Sequence, residues 1–185
     1  QPTQFDLFSQ EYLSVKEEKY YSNFSFIEDL NEIKDIYAKI KNHKVFSFHL
    51  ITDTNDALMS KITGLAVSFL NDNGYYFSFN DSNKATIQSL FEDEELTIIG
   101  FDLKFTIKIL LTHNIQIKGK LFDVQIAHYL LHPDMRNSLD IISENYLGSI
   151  LKEKNRVLGK GRMKVLFSDL EPSLITNYAC ERSIS

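Results

Sequence analysis

Cysteine is almost absent from this chain: Cys180 stands alone among 185 residues. A single thiol excludes an internal disulfide and any Cys-based zinc site. It fits a reducing compartment, so a cytoplasmic location is expected. Proline is scarce too, at positions 2, 133 and 172, and most elements are therefore free of a residue that lacks a backbone donor. No apolar run approaches the roughly 20 residues needed to cross a bilayer, so no membrane partner is expected. The polar, mixed start QPTQFDLFSQ has no signal-peptide pattern. Positive charge is in deficit, with 20 Lys and Arg against 25 Asp and Glu, for a formal net charge of −5. That argues against tight nonspecific nucleic-acid binding, which depends on many cationic contacts to phosphate. Only weak DNA binding is expected, through a local basic patch if at all. Internal repeats and low-complexity tracts are also missing.

What is present suits one ordinary core, with 43% hydrophobic and 24% charged residues. Residues 1–24 read as an N-terminal arm or linker with an extended piece near Tyr20, and residues 25–185 as the folded domain. Ser25 and Glu28 have the Ser-x-x-Glu spacing of a capping box. Ile27, Leu30, Ile33, Tyr37 and Ile40 follow at helical spacing, which predicts a helix over 26–42. VFSFHLI, KITGLAVSFL and GYYFSF are rich in β-branched and aromatic residues. With a hairpin signal in NDNG, they predict an antiparallel three-strand meander.

Helix and strand then alternate. A short helix is predicted over 82–92, a buried strand at LTIIGF and a helix at DLKFTIKILLTHN capped by Asp102. A short strand at LFD follows, then a helix capped by Asp123 and ended near Pro133. Another helix runs from Ser138 to a stop at Gly148. Residues 149–167 read as loop, and a last helix starts near Pro172. The order predicts a mixed α/β layer fold. The final residues, NYACERSIS, stop inside a helical pattern, so a fragment of a longer protein is expected.

This order of elements resembles the RNase H-like fold of the DnaQ-type 3′–5′ exonucleases. Residues 98–148, from IIGFDLKFTIKILL through FDVQIAHYLL to SLDIISENYLG, are similar to the proofreading exonuclease domain of bacterial family A DNA polymerases. That family reads Gly-x-Asn-x-Lys-Tyr-Asp, then Phe-Asp before a helix ending in Tyr-x-Leu. The later GKG and YACE also fall in family order, and the resemblance covers roughly residues 25–182. It implies four carboxylates holding two divalent ions about 4 Å apart, which assist in-line displacement at a phosphodiester. The matching positions here depart from it. His49 and Ile51 stand where the family has Asp-x-Glu, Thr106 stands for the second-motif Asp, and Arg182 stands four residues after Tyr178 in place of the third-motif Asp.

Magnesium prefers hard oxygen ligands. Isoleucine supplies none, threonine one neutral oxygen, and arginine a permanent positive charge. The expectation is therefore an inactive, vestigial exonuclease domain with no metal and no cofactor, in a protein whose separate polymerase domain is its partner. His49 is read as a loop-edge polar residue and Thr106 as a helix-surface residue. Tyr178 is read as packing. Arg182 is expected to pair with Asp102 or Glu181, or to touch a phosphate. Two rivals stand beside this reading: an exonuclease with a metal site rebuilt from Asp53, Asp56 and Asp102, and a free-standing interaction module. GKGR at 159–162 lacks the spacing of a phosphate loop and reads as solvated, as does EDEE at 92–95. His128 and His132 are four apart, without an apparent acidic third ligand.

Overall fold

The structure is a computed structural model that describes residues 23–70, 73–159 and 165–184, and of residue 168 only the backbone. The predicted extended piece near Tyr20, the centre of the NDNG hairpin and most of the 159–162 loop lie outside these residues.

The sheet has the order β1-β4-β3-β2-β5-β6. Its centre is β2 (Val45–Thr52), β3 (Ile62–Leu70) and β4 (Asn73–Ser78), paired antiparallel as the predicted meander. β5 (Thr97–Gly100) and β6 (Lys120–Asp123) extend it in parallel beyond β2. This arrangement is the RNase H-like fold. At the other edge, β1 (Asn23–Phe26) runs parallel to β4.

β1 corrects the predicted helix start. Ser25 sits in the β1–β4 ladder opposite Tyr75, so its backbone is committed to the sheet and it cannot cap a helix. The first helix, α1 (Leu30–His43), begins later, and its cap is Asp29, whose carboxylate accepts from the Asn31 N–H. α1 presents Ile33, Ile36 and Ile40 to one face of the sheet. α2 (Lys84–Phe91) and α3 (Leu103–Thr112) cover the same face. Their apolar side chains join Phe46, Phe48, Leu65, Val67 and Ile98 in the larger core.

EDEE is not a solvated helix end. Asp93 accepts from the Tyr37 hydroxyl and pairs with Lys41, Glu92 pairs with Lys118, and Glu95 pairs with Lys44. Glu92, Asp93 and Glu95 thus tie α1 and the β5–β6 edge together, and Glu94 and Glu95 are the exposed two.

Asp123, the last residue of β6, caps α4 (Val124–Leu131) by accepting from the Gln125 and Ile126 N–H groups. Its second oxygen accepts from the Leu103 N–H at 2.8 Å, in the first turn of α3. α5 (Leu139–Leu147) follows and stops at Gly148, whose φ of +67° suits a residue without Cβ. Ser138 occupies the N-cap position of α5 but its side chain makes no capping bond. The stretch predicted as loop holds a short helix, α6 (Lys154–Leu158), and a 3₁₀ turn at Phe167–Asp169.

α7 (Pro172–Ile184) covers the opposite face of the sheet, across β1 to β4. It lies close because the strands below it carry glycine: a Cβ on Gly74 would fall 2.6 Å from the Cβ of Cys180. A second, smaller core forms there from Ile51, Ala66, Tyr76, Phe167, Ile175, Tyr178 and Cys180. Burial raises the pKa of the Cys180 thiol to about 12, so it packs as a small apolar group.

Candidate functional site

β2 alternates its side chains, so His49 and Ile51 point to the α7 face while Phe48 and Leu50 pack with the α1–α3 core. Opposite His49 and Ile51 on β3 stand Ala66 and Gly64. These small residues leave room for Tyr76 and for α7 above.

His49 is not at a loop edge. It lies inside β2 and is half-buried, its ring edge-on to Tyr178 with 6.3 Å between centroids. Desolvation, followed by the positive charges of Arg182 and Lys154, lowers its pKa from 6.5 to about 3. At neutral pH it is an uncharged imidazole. Ile51 is 1% exposed and belongs to the same core cluster as Tyr178.

Tyr178 is buried and packs against Phe167, with ring centroids 5.2 Å apart. Burial raises the pKa of its hydroxyl, and nearby Arg182 opposes the shift. The Arg182 guanidinium carbon lies 3.8 Å from the centroid of the Tyr178 ring. Its Nη2 donates to the Lys152 carbonyl at 2.5 Å, its Nη1 donates to the Tyr178 carbonyl at 3.4 Å, and Asp140 stands 3.9 Å away. These contacts hold a side chain that is only 7% exposed, and they replace the predicted pairing with Asp102. Glu181 is buried beside it and pairs with Lys152.

Thr106 completes the group from the other side. Instead of lying on an open helix surface, it is half-buried in the first turns of α3 and lines a cleft of about 180 Å³ with His49, Thr52, Phe101, Asp102 and Phe105. The structure therefore brings His49, Ile51, Tyr178 and Arg182 together beneath α7, and Thr106 meets His49 across the cleft.

The three acids of the rebuilt-site rival are not gathered. Asp53 accepts from the Lys61 N–H, Asp56 from the Leu58 N–H and Asp102 from the Phe105 N–H. Each is engaged in its own turn or cap. Among the described residues no three His, Cys, Asp or Glu side chains are grouped so as to hold a metal ion. A pair of divalent cations does not fit the four positions: one aliphatic side chain, one neutral imidazole, one hydroxyl and a buried guanidinium offer no anionic oxygen, and Asp102, which shares the cleft, is engaged as the α3 cap. Arg182 would meet any cation with like charge.

Sequence reasoning missed two participants: Lys152, whose carbonyl anchors Arg182 and whose ammonium pairs with Glu181, and Lys154, which adds positive potential near His49. The only available signal was the clustering of Lys152 and Lys154 just before the 159–162 loop. His128 and His132 do come together, with rings 5.5 Å apart, and Tyr146 lies beside both. No helix among the described residues is long and apolar enough to cross a membrane.

The model of a 3′–5′ exonuclease family matches residues 24–181 of the chain. The DNA polymerase I of Borreliella burgdorferi is 28% identical over 159 residues, which are 81% of this chain and 17% of that protein. The chain therefore spans about a sixth of the length of this curated relative. The catalytic core of RRP6 from Trypanosoma brucei superposes with a TM-score of 0.70 at 16% identity, covering 95% of this chain and 48% of that one. The POL domain of Pol1 from M. smegmatis, in complex with DNA primer-template and dNTP, superposes with a TM-score of 0.58 at 20% identity, over 69% of this chain and 23% of that one.

Proposed function

This chain belongs to the 3′–5′ exonuclease family whose model covers residues 24–181, and from that premise we propose that it is a catalytically inactive exonuclease-like domain of a DNA polymerase. Its role is a structural scaffold beside the polymerase domain of its parent chain. The parent is then a cytoplasmic enzyme of DNA replication and repair, a family A polymerase. The domain begins with β1 at Asn23 rather than at residue 25, the boundary that the sequence suggested. DNA meets this domain weakly, within or below the nonspecific range of roughly 10⁻⁴ to 10⁻⁶ M at physiological salt.

The observation that carries this reading is Arg182. A permanent cation, stacked on Tyr178 and tied to the Lys152 carbonyl, occupies the position at which the resemblance calls for a metal-binding carboxylate. Ile51, His49 and Thr106 supply no anion to offset it. Phosphodiester hydrolysis in this fold rests on cations that stabilise developing negative charge, and the residues of this chain cannot retain them.

The test is digestion of an end-labelled single-stranded oligonucleotide by the purified chain with magnesium or manganese. No degradation is expected. Cleavage that survives extensive purification and disappears in Asp53→Ala or Asp102→Ala would overturn the inactive reading.

A further inference from the structure

α4 is built the wrong way round for an isolated domain. An amphipathic helix on a globular surface turns its apolar stripe inward. Here the one buried residue is His128, at 2% exposure, and its Nε2 has no hydrogen-bond partner among the described residues. Ile126, Tyr129, Leu130 and Leu131 face outward, the two leucines at 74% and 69% exposure. Neither core cluster takes a residue from β6 or α4.

The apolar surface continues on both sides of the helix. β6 precedes it directly and leaves Phe122 half exposed. β6 is also the terminal strand of the sheet, with nothing paired to its outer edge among the described residues. Tyr146 of α5, itself exposed, touches the His128 and His132 rings. Exposed apolar side chains gathered on β6, α4 and α5 beside an open strand edge mark a surface that something else covers.

We propose that the β6–α4 face, with Tyr146, is where this domain docks on the polymerase portion of its own parent chain. This rests on the functional reading above. Two observations select that occupant over a second copy of the chain. The matched DNA polymerase I has about five-sixths of its length outside the aligned part, and the Pol1 chain likewise carries this fold as 23% of a longer protein. The patch is also small. It comprises a four-residue strand, an eight-residue helix and one tyrosine, against about 20–30 residues per side in a standard interface between separate proteins. Contacts within one chain need less area, because tethering supplies a roughly millimolar effective concentration. Interfaces between domains of one chain are correspondingly modest in size.

The experiment compares hydrogen exchange of residues 124–131 in this chain and in the longer natural chain that contains it. Exchange about tenfold slower in the longer chain is expected. The double variant Ile126→Lys, Leu130→Glu should abolish that protection and leave the melting temperature of the 185-residue chain unchanged. Equal exchange of α4 in both proteins overturns the docking face while leaving the functional reading intact, provided the parent polymerises DNA. A 185-residue chain that sediments as a dimer, and as a monomer in the double variant, assigns the face to a second copy and overturns the proposal. A parent without a polymerase domain overturns both.

Discussion

α7 carries Thr176, Glu181, Arg182 and Ser183 into the interior, whereas α4 carries Ile126, Leu130 and Leu131 out of it. The two helices have opposite chemistry and opposite burial, so composition does not account for either position. α7 is held inside because neighbours complete most of its polar groups, the Thr176 hydroxyl excepted. Lys152 serves Glu181 and Arg182, and the Ser47 hydroxyl donates to the Ser183 carbonyl. Gly74 of β4 lets its backbone approach closely. Among the described residues α4 has no such neighbours above it. Burial in this molecule follows from what each helix is offered, and the offer to α7 comes from residues 29 to 136 positions away in the chain.

The most damaging way to break this comparison is to empty the centre of the α7 face. Tyr178→Ala removes the ring that His49, Phe167 and Arg182 all touch, and is expected to cost about 3–5 kcal/mol, as for other buried aromatic truncations. A urea denaturation curve with unchanged slope measures it. Arg182→Ala should come next, at about 2–3 kcal/mol, since it leaves the Lys152 carbonyl without its charged donor and uncovers the Tyr178 ring. Arg182→Lys should recover only part of that loss, because an ammonium cannot both stack and donate as the planar guanidinium does.

A third prediction concerns pH. His49 titrates near 6.5 when unfolded and near 3 when folded, so the unfolded chain binds a proton that the folded chain refuses. The His49 contribution is fully favourable above about 6.5 and is lost as pH falls toward 3, at up to about 1.4 kcal/mol per pH unit. His49→Gln should flatten the stability profile between those limits. If parent and variant show the same slope in thermal melts from pH 7 to 4, then His49 is not desolvated by α7. The smallest effect is expected on the other helix. Leu130→Glu should change the stability of the 185-residue chain by no more than about 0.5 kcal/mol, because the side chain leaves no cavity. A larger loss would show that α4 packs on something within this chain.

The strands of the meander could be read in advance because each is a local run of β-branched and aromatic residues, and the caps at Asp102 and Asp123 could be read because a carboxylate before a helix acts on its own next turn. β1 could not. NFSF is four residues long, and its pairing partner lies about 50 positions away, so the nearby Ser-x-x-Glu spacing was the stronger local signal. The burial of His49 also escaped the sequence, since it depends on a helix some 130 residues later. The four departures from the family's carboxylates were readable at His49, Ile51, Thr106 and Arg182, but the anchoring of the arginine was not, because a backbone carbonyl accepts regardless of which side chain it carries. For α4 the apolar composition was visible, and the direction in which it faces was not.

Asp123 closes the first turn of α3 and the first turn of α4 with one carboxylate. That double duty couples the two helix starts to the edge of the sheet. The Leu103 N–H reaches this oxygen because β6 lies alongside β5, placing Asp123 opposite Gly100. Without that pairing the start of α3 is free to fray, and with it the wall of the cleft that Thr106 lines. The shape of that cleft therefore depends on the outermost strand of the sheet, although none of that strand's residues lines it.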